Sequence, residues 1–443
     1  MNIAKMIYDS LQKEQGHPEV LLEDLIRTNC GYRHYLHLSG ATMSKPTKPR
    51  ELLVREIALR VRLLIGRYLK GCYGDIYNPG SYVMHGGITT LIDGTLGDLL
   101  VDIQVLSNTE YTKGRAPRRA VLSAATKAFW DGKKAALLIC INRDSQEWDF
   151  YNVEGDLEKA TYFVREDADY VSRLVAGDAK PMSLASASTC RICPFFKSCS
   201  MEPSEDPPIY TVQGLNVTPA MLTRTQMESY LWSLNDLPNN RTKKVIHPSS
   251  FSTSKCDRQI AYDLMGLDQH ESVNPRLRRI FDTGHCVHDV VQLALEEALD
   301  DFEAEVLVHH PELRILGHCD GRSGKVGFEF KSIGSKGYAS LKKVKGEHEK
   351  QGTTYGVILL LDTLYYVYIN KETGEIASYE VPIDRRVWHK LAARASNIAK
   401  TVEMGSLPPQ VDRDYICRSC KYAWNCKPEL GTTSTPEERR TFA

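Results

Sequence analysis

The sequence has no excess of charge: 56 basic residues balance 56 acidic ones over 443 positions. A protein that grips a polyanion with its whole surface carries a basic excess, so any such surface here has to be local. Long apolar runs are missing too. None approaches the roughly 20 residues that a bilayer-spanning helix needs. The opening stretch MNIAKMIYDSLQKEQGH is interrupted by polar residues every few positions, which argues against a signal-peptide hydrophobic region. The expected location is the cytoplasm, with no membrane partner. The phosphate-loop pattern GxxxxGK[ST] is absent, and GRSGKVG at Gly321–Gly327 has the wrong spacing, so no ATPase motor of that type is expected. What is present is an ordinary globular composition, 42% hydrophobic and 25% charged. The length suggests two or three domains, each able to bury a core of its own.

One residue type is over-supplied. Twelve cysteines are many for a protein expected in a reducing compartment, where disulfides are rare and clustered cysteines more often hold metal. The spacing Cys190-x2-Cys193-x5-Cys199 recurs as Cys417-x2-Cys420-x5-Cys426. Cys72, Cys140, Cys286 and Cys319 fall outside this pattern and read as small buried apolar side chains.

The recurrence extends along the chain. Cys30 and Gly40 match Cys256 and Gly266, Lys48–Arg50 match Asn274–Arg276, Ile92-Asp93-Gly94 match Cys319-Asp320-Gly321, and Ile141-Asn142 match Ile369-Asn370, all at offsets of 226 to 228 residues. Repeated landmarks at a near-constant offset indicate a tandem duplication. The reading is residues 1–205 as a first copy and 206–247 as a linker with a short helix starting at Thr218-Pro219. Residues 248–430 are the second copy, and 431–443 a polar tail. Within the second copy, apolar periodicity predicts helices over Arg258–Met265, His285–Leu299, Tyr338–Leu361 and Arg385–Met404. Alternation predicts strands over Glu303–His309, Leu313–Cys319, Lys325–Lys331, Thr363–Asn370 and Ile376–Pro382. The fold class expected is mixed α/β (α+β), two tandem domains each with a central mixed sheet flanked by helices.

Asp320 ends one predicted strand, and Glu329 and Lys331 lie two apart on the next, so those two share a face. Paired carboxylates favour hard ions such as Mg²⁺ or Mn²⁺. Such an ion polarises phosphate, and an ammonium can stabilise developing charge. The flanking residues make the pattern specific. His288 sits on the upstream helix, Gly317-x2-Asp320 and Glu329-x-Lys331 follow, and Gln351-x3-Tyr355 places two side chains on one helix face. In this order the second half resembles the RecB/Cas4/AddB-like branch of the PD-(D/E)xK nuclease superfamily, whose fold is restriction-endonuclease-like. The resemblance implies His288, Asp320 and Glu329 as metal ligands and Lys331 as the catalytic lysine. It also implies that Gln351 and Tyr355 lie near the DNA backbone or position the lysine. Cys256 before the core and Cys417, Cys420 and Cys426 after it resemble the split cysteine frame of that branch. There it holds a [4Fe–4S] cluster, here closing a loop of about 160 residues. Spacing alone leaves Zn²⁺ open as the alternative.

The first copy keeps Cys30, Cys190, Cys193 and Cys199, so a second cluster is expected. Its catalytic set is altered: Asp93 and Asp102 match Asp320 and Glu329, but Gln104 stands for Lys331 and Arg62 for His288, and neither Gln nor Tyr occurs in Ser123–Ala128. An inactive copy follows, with Asp93 and Asp102 left as weak candidates for an ion. Two basic loops, with Lys113, Arg115, Arg118 and Arg119 in one and Lys342, Lys343 and Lys345 in the other, are candidate phosphate contacts or plain solvated faces. The functional expectation is an Mg/Mn-dependent DNA exonuclease. It would act on single strands or duplex ends in replication, recombination or repair, alongside proteins of those processes. A non-catalytic DNA-binding adaptor and a CRISPR-adaptation nuclease are the alternatives.

Overall fold

The computed structural model describes residues 1–13, 48–85, 88–179, 190, 193, 199, 212–236, 242–254, 256–267, 273–411, 416–417 and 420–426. The first half contains α1 (Ile3–Lys13), α2 (Pro49–Tyr73), β1 (Tyr77–Pro79), β2 (Tyr82–His85), β3 (Ile88–Leu91), β4 (Gly94–Leu96), β5 (Leu99–Leu106), α3 (Arg118–Trp130), β6 (Ala135–Asn142), β7 (Trp148–Gly155), α4 (Leu157–Ala176), β8 (Leu215–Pro219) and α5 (Met221–Ser233). The second half contains α6 (Pro248–Thr253), α7 (Asp257–Met265), α8 (Pro275–Ala298), β9 (Phe302–His310), β10 (Ile315–Ser323), β11 (Val326–Ile333), α9 (Ser335–Ala339), α10 (Gly346–Ile358), β12 (Thr363–Asn370), β13 (Ile376–Pro382), α11 (Arg385–Glu403) and α12 (Ala423–Cys426). None of the described helices is long and apolar enough to cross a membrane.

The mixed α/β class expected from sequence is the one observed. The first sheet runs β1-β4-β5-β6-β7-β8 and the second β13-β12-β11-β10-β9. Their centres share one pattern: an antiparallel hairpin (β4–β5, β10–β11), a parallel neighbour reached through a crossover helix (β5–β6 through α3, β11–β12 through α10), then an antiparallel return strand (β7, β13). Strands buried on both faces read as continuous apolar runs, and β6 (AALLICIN) and β12 (TLYYVYIN) are such runs.

Several local expectations are corrected. Thr218-Pro219 does not open a helix: Pro219 ends β8, the edge strand of the first sheet, where a residue without an N–H is tolerated. Part of the segment expected as a linker therefore completes the first sheet. The helix around His288 begins at Pro275, because the Asn274 side chain caps it by accepting from the Leu277 N–H at 2.8 Å. The stretch Tyr338–Leu361 is two helices, α9 and α10, separated by the lysine-rich turn Leu341–Lys345.

Besides clusters of their own, the halves share one core. Ile3, Ile7 and Leu11 of α1, Val61, Ile65 and Leu69 of α2, and Val287, Val291 and Leu295 of α8 all belong to one buried cluster, which also includes one face of each sheet. Each triplet is spaced by four, so each forms a stripe along its helix. The outer faces are covered by α3 over the first sheet and α10 over the second.

Candidate active site

Alternation along β11 sorts its side chains. Phe328 and Phe330 enter the cluster shared with α8, leaving Glu329 and Lys331 on the opposite face, where α10 packs. Asp320 lies inside β10, which continues to Ser323, and not at a strand end as the sequence suggested. Its Oδ2 accepts from the Phe330 N–H at 2.6 Å, and its Oδ1 lies 3.6 Å from Nδ1 of His288. The Lys331 ammonium donates to Glu329 Oε1. Glu329 Oε2 is buried without a hydrogen-bond partner. The four residues assigned to catalysis and metal binding on sequence are therefore together in space.

Burial pushes the Asp320 carboxyl up to about 6, against the opposing charge of Lys331. Burial and the charge of Asp320 push Glu329 up to about 7. Burial pulls His288 down to about 4, and Lys331 adds to the fall, so the ring is neutral at pH 7. Burial also acts to lower Lys331, but Glu329 and Asp320 outweigh it and the ammonium persists. A neutral imidazole, two incompletely compensated carboxylates and an orphaned buried oxygen fit a hard divalent cation. Among the described residues no group of three or more His, Cys, Asp or Glu side chains is already gathered as a metal cage. At this site Lys331 lies against one of the two Glu329 oxygens that such a cage would use.

Gln351 and Tyr355 are buried on α10, and the Gln351 amide donates to the Tyr355 hydroxyl at 2.9 Å. Burial and then the charge of Glu329 hold the Tyr355 phenol well above its usual range. Gly317 has a packing reason for its identity: a Cβ there would lie 2.9 Å from Pro248 Cδ and 3.7 Å from Tyr355 Cε1. Sequence reasoning missed Gln292 and Glu305. Gln292 Nε2 donates to the Asp320 carbonyl at 2.9 Å and to Glu305 Oε1 at 2.8 Å. Neither belongs to a motif, and only strand pairing brings Glu305 near.

The first half contains the same frame with different charges. Asp93 Oδ2 accepts from the Ile103 N–H at 2.7 Å, just as Asp320 does from Phe330. Arg62, in the place of His288, grips Asp93 with two bonds of 2.7 and 3.0 Å. Asp102 accepts from Gln104 Nε2 at 2.9 Å and from the Lys127 ammonium at 2.7 Å, with Lys127 and Asp102 both fully buried. Two fixed cations thus neutralise the two carboxylates. Lys127 was not foreseen, because a lysine in an alanine-rich helix reads as a surface residue.

Cys256, Cys417, Cys420 and Cys426 line one small cavity. Burial raises the Cys420 thiol, and the other three cysteines add to the rise. Donors already point at the sulfurs: the Tyr422 N–H to Cys420 and Gln410 Nε2 to Cys426, each at 3.5 Å. Four thiols with N–H donors suit a thiolate-bound group in their chemistry, although these sulfurs, all among the described residues, are not gathered as a metal cage in this structure. Cys190, Cys193 and Cys199 are half-buried, and Cys30 lies outside the described residues. Cys140, Cys286 and Cys319 are buried, as read from sequence, while Cys72 is half-buried.

No protein-family model and no curated protein matches the chain. Among solved structures it is similar to SSO0001, at 19% identity over 46% of this chain and 97% of that one, with a TM-score of 0.28. It is also similar to an alkaline exonuclease, LHK-Exo, from Laribacter hongkongensis, at 12% identity over 42% of this chain and 95% of that one, with a TM-score of 0.31. The same exonuclease in complex with dAMP gives 14% identity at the same coverage and TM-score. Likeness at this level carries no functional argument, and the site geometry has to do so alone.

Proposed function

We propose that this chain is an Mg²⁺- or Mn²⁺-dependent deoxyribonuclease with one active site, in the second half, and that it acts as a Cas4-like exonuclease. The observation that carries this reading is the convergence of His288, Asp320, Glu329 and Lys331, with a buried Glu329 oxygen left unpaired. His288, Asp320 and Glu329 would hold the ion, which would supply Lewis acidity toward a phosphodiester and an activated water. Lys331 brings a persistent ammonium that can stabilise charge developing on the phosphate. Gln351 and Tyr355, joined by a hydrogen bond on α10, would position Lys331 or lie near the DNA backbone. The four cysteines around the second half would hold a [4Fe–4S] cluster, Zn²⁺ being the alternative. The first half is a silent copy, its carboxylates neutralised by Arg62 and Lys127.

The test is a cleavage assay on end-labelled linear and circular DNA, single- and double-stranded, with Mg²⁺ or Mn²⁺. Wild type should degrade linear DNA from its ends, and Lys331→Ala should be slower by about 10²–10³-fold, the usual loss of one preorganised charge-stabilising group. If wild type does not cleave, or Lys331→Ala cleaves equally well, the reading fails. Cleavage of circles would replace the exonuclease assignment with an endonuclease.

A further inference from the structure

A cleft of about 460 Å³ opens between the halves, where α5 and the turn before β7 meet the start of α8. That volume is within the roughly 300–1,000 Å³ of small-molecule sites. Its lining includes four cations, Lys113, Arg224, Arg276 and Arg279, against two carboxylates, Glu147 and Glu228. Arg224 is paired with Asp149 at 3.3 Å and Glu228 at 3.2 Å, and Lys113 lies 3.8 Å from Glu147. Arg276 and Arg279 have no carboxylate partner among the described residues. Their Nε atoms donate to the carbonyls of Ser145 and Gln146, each at 3.0 Å.

Arg279 is the more unusual of the two. It is 3% exposed, its guanidinium lies 3.8 Å above the Trp148 ring, and its Nη1 has no hydrogen-bond partner. A buried, charged donor left unpaired is costly, so a ligand that accepts from it is favoured. Asn274, Pro275 and Arg276 bring the N-terminus of the 24-residue α8 to the same cleft, and its dipole adds positive potential. Both features select an anion. The aromatic lining adds a second selectivity. Trp148 is already engaged by Arg279 and Phe150. Trp232 is half-buried and engaged by no ring or cation among the described residues, so its ring is available for stacking.

We propose that this cleft binds a nucleotide unit, its phosphate held by Arg276 and Arg279 and its base stacked on Trp232. The unit can come from a free nucleotide or from the phosphorylated 5′ end of a DNA strand. The site is separate from the carboxylate site and does not depend on the nuclease reading. It explains why arginine stands at position 279, where the matching residue of the first copy is Leu53.

The experiment uses the full-length chain with no added divalent metal, so that the carboxylate site does not attract phosphate. Tryptophan fluorescence and calorimetry follow titration with dAMP, deoxyadenosine, and a ten-nucleotide oligo(dT) with and without a 5′-phosphate. Saturable binding of dAMP but not deoxyadenosine is expected. So is a tenfold or greater weakening in Arg276→Glu and in Trp232→Ala. Arg276 is exposed and Trp232 half-buried, and unchanged circular dichroism would confirm that the variants fold. Binding of the 5′-phosphorylated oligonucleotide alone, with the same sensitivity to both variants, would support the proposal and assign the ligand to strand ends. The proposal is overturned if neither phosphorylated probe binds, or if binding survives either substitution unchanged.

Discussion

Replacing Lys127 by Met tests whether the silent site has exchanged a bound ion for a built-in one. Methionine keeps most of the length of the lysine stem and removes its charge. Lys127 and Asp102 are both 0% exposed, so water cannot take the place of the lost ammonium. Removing one partner of such a buried pair costs about 3–5 kcal/mol, because the other charge is left uncompensated. The remaining hydrogen bond from Gln104, at 2.9 Å, donates to Asp102 but brings no charge. With a urea slope of about 2–3 kcal/mol/M, the unfolding midpoint should fall by about 1–2.5 M. Far-UV circular dichroism during urea titration reads this shift. Adding Asp102→Asn to Lys127→Met removes the stranded charge and should recover at least half of the loss, the non-additivity expected of directly paired groups. An unchanged midpoint in the single variant, or a double variant no better than the single, would refute the argument.

Three other outcomes follow from the packing and the cysteines. Val291→Ala opens the cluster shared by both halves and should cost about 2 kcal/mol or more. Probes in either half should report the same lowered midpoint, whereas loss confined to the second half would contradict a common core. Gly317→Ala forces a methyl to within 2.9 Å of Pro248; overpacking of about 1–3 kcal/mol should lower thermal stability together with activity. Cys420→Ser should abolish any visible iron–sulfur absorbance from the second half and reduce its iron content. A colourless, zinc-containing wild type prepared without air would instead assign zinc.

Much of this was legible in the sequence, and the reasons are specific. β12 and β13 fall within the predicted limits because Thr363–Asn370 and Ile376–Pro382 are β-rich runs separated by a short turn. Strand alternation put Glu329 and Lys331 on one face beside Asp320, whereas His288 entered the set only through the resemblance to the nuclease motif order. Pro219 misled because Thr-Pro is a helix-start signal, and nothing local shows that β7 is waiting to pair with that segment. Lys127 and Glu305 were invisible for a related reason. Each takes its meaning from a partner on another element, Asp102 for one and Gln292 for the other. The apolar periodicity over His285–Leu299 announced the burial of α8 but not that α2 would cover the same face.

That last contact bears on how the two halves can differ. Val61, Ile65 and Leu69 on α2 match Val287, Val291 and Leu295 on α8 at one constant offset, and all six share a single cluster. A surface that packs against its own counterpart is what a twofold homodimer uses, where every substitution is made on both sides at once. A single polypeptide that carries both copies is free of that restriction, and each copy meets the other at a high effective concentration. One copy can then carry Arg62 and Lys127 while the other carries His288 and Lys331. The two halves share one core, yet the charges at their matched carboxylates are set independently.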